Sequence, residues 1–152
     1  MKRAMISLAV AASLSLSFGA AAFAASADAE QAFIKAYKAA FDSKNADAFS
    51  ALLAPGGDPV AVQFYTQMMT SEVQDGKLTS IELKDLTPQD QTNAAAIQPG
   101  PNGNLQLSPK PYKKLVLHID TKTSDTNASA DSEVFVADVG GQVLISVPAP
   151  AK

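Results

Sequence analysis

The sequence predicts an α+β domain in which N-terminal helices pack into a curved antiparallel β-sheet, a half-open cone. Three observations predict it. Apolar residues recur at helical spacing between Phe33 and Val73, the period falls to two from Leu78 onward, and Gly140-Gly141 joins two alternating runs near the end. Helices followed by an antiparallel meander is an α+β plan. A long amphipathic first helix lying in a twisted sheet gives the cone.

Ahead of the domain, Met1-Lys2-Arg3 makes a short positive start, and an Ala/Leu/Ser-rich apolar stretch follows to about Ala22. Ala22-Phe23-Ala24 and Ala25-Ser26-Ala27 are both A-x-A sites, so residues 1–27 are expected to be a secretory signal peptide cleaved after Ala24 or Ala27. A membrane anchor is the rival. Serines at 13, 15 and 17 with Gly19 weaken it, and no Lys/Arg stop-transfer cluster follows. A cysteine-free exported chain fits a bacterial periplasm or exterior.

Residues 28–148 are expected to form one domain, with 149–152 as a loose tail. Asp28, with Gln31 three residues on, has capping-box spacing, and Phe33, Ala36, Tyr37, Ala40 and Phe41 fall on one stripe. Asn45 is placed to cap a short second helix reaching Leu53, with Ala48, Phe49 and Leu52 inward. Pro55-Gly56-Gly57 ends it, and Asp58-Pro59 restarts a third helix with Pro at its first position. That helix runs to about Val73 and carries Ala61, Phe64, Tyr65, Met68 and Met69 on one face. Ile81 and Leu83 then alternate with Glu82 and Lys84 in a first strand. Residues 87–111 hold five prolines and read as a long loop with a hairpin, Ala94–Gln98 against Asn104–Ser108, around the turn Pro99–Gly103. Tyr112–Lys122 is a strand with Leu115, Leu117 and Ile119 on its core face. Ser124–Asp131 is a polar loop, and Ser132–Val139 with Gln142–Val147 makes the last hairpin.

Composition excludes several functions. Lys2 and Arg3 belong to the leader, so the processed chain has 10 basic groups against 15 acidic ones, near −5, and no arginine. That argues against nucleic acid and removes any bidentate clamp for phosphate. Without cysteine there is no thiolate nucleophile, disulfide or iron–sulfur site, and one histidine argues against a metal centre. The glycines match no phosphate loop, and nothing asks for a cofactor.

The chain resembles the nuclear transport factor two-like superfamily, also called cystatin-like or SnoaL-like cones. Ala32-Phe33-Ile34-Lys35-Ala36-Tyr37 carries the likeness, with Phe41-Asp42-Ser43-Lys44-Asn45-Ala46-Asp47-Ala48-Phe49 leading to Leu52-Leu53 and a strand-dense end at Gly140–Ile145. It covers most of the mature chain as element order, on a degenerate motif. One departure is expected: many members place a short strand between the second and third helices, and Pro55–Pro59 leaves no room for one. The superfamily includes isomerases, dehydratases, cyclases, carriers and association modules, so the likeness implies a fold and no activity. Its enzymes usually set a carboxylate or His–Asp pair in the cone, often beside a tyrosine.

Glu72 falls in the apolar stripe of the third helix near its C-terminus, where a buried carboxylate would gain proton affinity and a frayed one would simply reach water. Tyr37, Phe41, Tyr65, Met68 and Glu72 are the candidate lining of a cone cavity, and ordinary core packing is the competing account of the aromatic and Met stripe. Val116, His118 and Asp120 share the outer face of a strand and are candidates for a dimer contact. Lys110, Lys113 and Lys114 around Tyr112 read as a solvated edge. No catalytic set is complete. The expectation is an exported, non-catalytic binding protein, taking a small apolar ligand in the cone or a partner on the sheet face. The alternatives are an isomerase or dehydratase using Glu72 with Tyr37 or Tyr65, and an envelope accessory or inhibitor module whose contact surface is the 87–111 loop.

Overall fold

The computed structural model describes residues 25–122 and 127–152. Most of the expected signal peptide, and part of the predicted 124–131 loop, lie outside the described residues. The architecture is α+β: helices against a curved antiparallel sheet, as the two periods require.

Helix α1 (Ala27–Ser43) starts two residues earlier than an Asp28 cap would have it. Ser26 is the cap, its Oγ accepting from the Ala29 N–H at 3.2 Å, and Asp28 sits in the first turn against the positive end of the helix dipole. Phe33, Tyr37, Ala40 and Phe41 are buried and Ala36 is not, which trims the predicted stripe by one residue. Lys44, in the left-handed region at φ 52°, ends the helix. Helix α2 (Ala46–Ser50) is capped by Asn45 as expected but stops short of Leu53.

As expected, no strand forms between α2 and α3; the early stop leaves room for one isolated bridge. Leu53 forms a parallel bridge with Ile145, before Pro55 is reached. The Ile145 N–H donates to the Leu52 carbonyl and the Ala54 N–H to the Ile145 carbonyl, both at 2.8 Å. Helix α3 (Pro59–Gln74) then begins at Asp58, whose side chain accepts from Val60 and Ala61 N–H groups. Its core-facing residues are Met69 and Val73; Phe64, expected inward, is 61% exposed. The reason is compositional. Glu72 is the only charge on α3, so hydropathy barely separates its faces.

Four strands, β1 (Gly76–Asp85), β4 (Lys113–Lys122), β5 (Asn127–Val139) and β6 (Gln142–Ile145), form an antiparallel sheet in the order β1-β4-β5-β6. Leu115, Leu117 and Ile119 point inward as predicted, joined by Val134, Val136, Val143 and Ile145. Gly140 and Gly141, at φ 63° and 88°, make the tight turn that side chains with a Cβ resist. β5 already pairs at Asn127, so Asn127–Asp131 is strand where a loop was expected.

The 87–111 segment is more ordered than a long loop. It holds helix α4 (Pro88–Ala95) and strands β2 (Gln98–Gly100) and β3 (Gly103–Ser108). The predicted hairpin exists about the expected turn, but Ala94 and Ala95 belong to the helix. The expected loose tail is also corrected: Val147–Pro150 is β7, paired with β3 in a second sheet of order β2-β3-β7, with Val147 and Ala149 buried. Prolines suit it, because a strand on a sheet margin can spare N–H groups.

The helix N-terminus offers a direct check. Ser26→Ala is expected to cost about 1 kcal/mol of stability, seen as a lowered denaturant midpoint with an unchanged slope, whereas Asp28→Asn should cost less.

Candidate functional site

The cone interior is largely filled. Tyr37 is 1% exposed, its ring edge-on to Phe49 at 5.4 Å and tilted against Phe33 at 6.3 Å, and Phe41 lies in the same cluster. Tyr65, Met68 and Glu72 follow one another along α3 at helical spacing and are half-buried at the rim of this core. Glu72 is not on a frayed end, since α3 continues to Gln74. Its Oε1 accepts a 2.9 Å hydrogen bond from the Ser132 hydroxyl, on the inner face of β5. Burial raises the Glu72 pKa above its ordinary 4.5, and the Ser132 bond offsets part of that rise. Burial, then the charge of Glu72, makes the Tyr37 phenol harder to ionise. The structure thus brings Tyr37 and Glu72 together and adds Ser132. The sequence hid Ser132, because polar residues surround it on both sides.

A wider space lies elsewhere. A cleft of about 1020 Å³ opens where the ends of β1 and β4 meet α4, β3 and β7. Leu86, Ala94, Leu107 and Pro111 give it apolar walls, while Gln91, Gln106, Lys110 and Tyr112 bring polar groups. Helix α4 roofs the cleft because Thr87 and Asp90 form a complete capping box: the Thr87 N–H and Oγ1 donate to Asp90 Oδ2 at 2.9 and 2.7 Å, and the Asp90 N–H donates back to Thr87 Oγ1. These bonds, with the Lys114 ammonium 3.2 Å away, hold the Asp90 carboxyl below the usual range. Gln106 Nε2 donates to the Ala95 carbonyl at 3.0 Å and ties β3 to the helix C-terminus. Tyr112 donates to Glu30 Oε1 at 3.0 Å, with the Lys113 ammonium also on Glu30, so the cleft wall is anchored to α1. Thr87-Pro88-Gln89-Asp90 was a readable helix start, masked by the surrounding prolines and polar residues.

The outer sheet face is a lattice of charges. Val116 stands between Glu82 and Glu133, and His118 between Ser80 and Asp131. His118 Nδ1 lies 2.6 Å from Asp131 Oδ1 and its Nε2 lies 3.8 Å from Asp120, while Lys114 bridges Asp90 and Glu133. The partner of His118 is therefore Asp131 across the strand pair rather than Asp120 along it, and its hydrogen bond raises the imidazole pKa above 6.5. Among the described residues no cluster of three or more His, Cys, Asp or Glu is placed to hold a metal ion. No described helix is long and apolar enough to cross a membrane.

Two titrations test this electrostatic picture. Above pH 4.5 the unfolded chain releases the Glu72 proton while the folded chain still holds it, so this group's contribution to stability falls as pH rises. In Glu72→Gln that component of the slope should vanish in denaturant midpoints taken from pH 4.5 to neutrality; an unchanged slope would mean Glu72 is fully solvated. For the single histidine, an NMR titration of His118 should give a midpoint above 6.5 that moves down in Asp131→Asn and by less in Asp120→Asn.

No family model and no curated protein matches the chain. Two solved structures are similar to it in shape. A designed NTF2-like protein aligns at TM-score 0.44 and 8% identity, over 80% of this chain and 96% of that one. The helical cell shape determining protein Pgp2 from Campylobacter jejuni aligns at TM-score 0.43 and 11% identity, over 77% of this chain and 38% of that one. At these scores and identities neither neighbour speaks for the chemistry of this chain.

Proposed function

We propose that this protein is an exported, non-catalytic binding protein of the nuclear transport factor two-like type, whose ligand site is the cleft beneath α4 rather than the cone interior. The cleft carries the proposal: about 1020 Å³ stands at the upper end of small-molecule sites, and apolar walls with a few convergent polar groups are their usual make-up. Lys110 at its rim favours a ligand with an apolar body and one polar or anionic end. The family assignment is supported by element order, helices followed by a curved antiparallel sheet. Export is supported by the leader, and the structure bears on where it would be cut. Ser26 caps α1 and Ala25 is buried in the core, so cleavage after Ala24 keeps both, whereas cleavage after Ala27 removes them. Pairing of two copies through Val116, His118 and Asp120 is the smaller part of the proposal, because such a contact must desolvate the charges of that face.

A second reading rests on Glu72, a half-buried carboxylate hydrogen-bonded to Ser132 and close to Tyr37, which has the protonation behaviour of a general acid. An activity lost in Glu72→Gln and kept in Ala95→Phe would favour it.

A native mass spectrum of protein purified from the envelope fraction tests the main reading. The expected species starts at Ala25 and carries extra mass that leaves on denaturation. Ala95→Phe, which fills the cleft from an exposed position, should abolish that extra mass. A bare protein, or a ligand retained in Ala95→Phe, would overturn the site. A species retaining Met1-Lys2-Arg3 would overturn export, and a doubled mass lost in Val116→Lys would support pairing.

A further inference from the structure

We infer that the groove between α2 and α3, on another side of the molecule, is a second binding site and takes a neutral saccharide chain. The groove has a volume of about 740 Å³, and none of its lining residues is ionisable. On a chain with 15 acidic and 12 basic residues, an uncharged surface of this length is distinctive. Amide and hydroxyl side chains line it, Ser50 of α2 with Gln63, Thr66, Gln67, Thr70 and Ser71 of α3, set among the apolar Ala46, Pro59 and Val62.

The hydroxyls are oriented by the helix itself. Thr66 Oγ1 donates to the Val62 carbonyl at 3.0 Å, Thr70 Oγ1 to Thr66 at 2.7 Å and Ser71 Oγ to Gln67 at 2.9 Å. Each has spent its only proton on its own backbone, so toward the groove it can only accept. Ser50 lies 3.3 Å from Thr66 Oγ1, and because Thr66 has given its proton to Val62, Ser50 is the donor in that pair. The groove therefore offers a row of fixed acceptors, interleaved with the amide donors and acceptors of Gln63 and Gln67. A matching ligand must present many hydroxyl donors at short intervals and carry no charge. A polyol does so on successive carbons; an extended peptide brings one N–H per residue and exposes only alternate ones to a given wall.

A flat apolar surface completes the match. Phe64 is one residue round the helix from Gln63, 61% exposed and braced edge-on by Tyr65 at 6.4 Å, and Val60, one turn before it, is 54% exposed. Phe64 lies outside the groove lining itself, and an exposed ring at its margin suits the C–H face of a pyranose.

The test uses the full folded chain and three neutral tetrasaccharides, cellotetraose, maltotetraose and chitotetraose, with tetragalacturonate as a charged control, read by amide NMR shifts. At least one neutral probe should give saturable shifts confined to residues 46–74. Its affinity should fall about tenfold in Gln63→Ala/Gln67→Ala and about fivefold in Phe64→Ala. These side chains are exposed, so the variants keep the fold, and the Tyr37 and Phe49 resonances report it. Absence of saturation with all three neutral probes, unchanged affinity in the variants, or preference for tetragalacturonate would overturn the assignment. So would self-association of the unliganded chain that disappears in Phe64→Lys, since the face would then belong to a second copy.

Discussion

The helical layer is held in register with the sheet by the Leu53–Ile145 pairing. Its two backbone hydrogen bonds, at 2.8 Å, sit where Leu52, Leu53, Ala54 and Ile145 are all buried. Side chains packed on a sheet can slide by a rotamer; a buried backbone pair cannot be broken without stranding a donor and an acceptor, at about 1–3 kcal/mol for each. A third bond extends the same seam, from the Asp58 N–H to the Pro148 carbonyl of β7. Asp58 also caps α3, so that seam fixes where α3 starts and thereby which of its faces meets the core. Met69 and Val73 turn inward, Glu72 reaches Ser132, and the Gln/Thr side faces α2.

Legibility in the sequence followed how strongly each segment is polarised. The stripe of α1, the Asn45 and Asp58 caps, the inner row Leu115, Leu117 and Ile119, and the Gly140-Gly141 turn were all readable, because charge or a special backbone marks one side from the other. On α3, with one charge in sixteen residues, the helix was plain and its orientation was not. Prolines misled twice, at 87–111 and at Val147–Pro150. There they start α4 or fill a strand with little need of N–H groups, where they were read as loop and tail. The Leu53 bridge was invisible because one bridge has no period. Tyr37, Phe41, Tyr65, Met68 and Glu72, read as the lining of a cone cavity, lie in or beside a filled core, while the cleft depends on β1, α4, β3, β7 and the link before β4, which no local pattern announces.

Charge and chemistry are divided between the surfaces. The sheet face spends its ionic groups on one another: Lys114 on Asp90 and Glu133, His118 on Asp131, and Lys84 on Glu82. Exposed pairs of this kind stabilise little individually, yet they discourage edge and face association of the sheet. The α2–α3 groove lies away from that lattice, along the uncharged side of a long helix, while the cleft meets it through the Lys114–Asp90 pair at the cap of α4.

The uncharged character of α3 has a consequence for how the molecule responds to ionic strength. Mobile ions damp interactions between exposed charges beyond about 8 Å at physiological salt. The sheet face should therefore change its behaviour as salt rises, loosening its own pairs and any encounter steered by them. The α2–α3 groove has no such lever, since hydroxyl and amide contacts are nearly indifferent to salt. Contacts made on the sheet face would thus be tuned by the salt of the medium, while those made in the groove would be alike in dilute and concentrated solution.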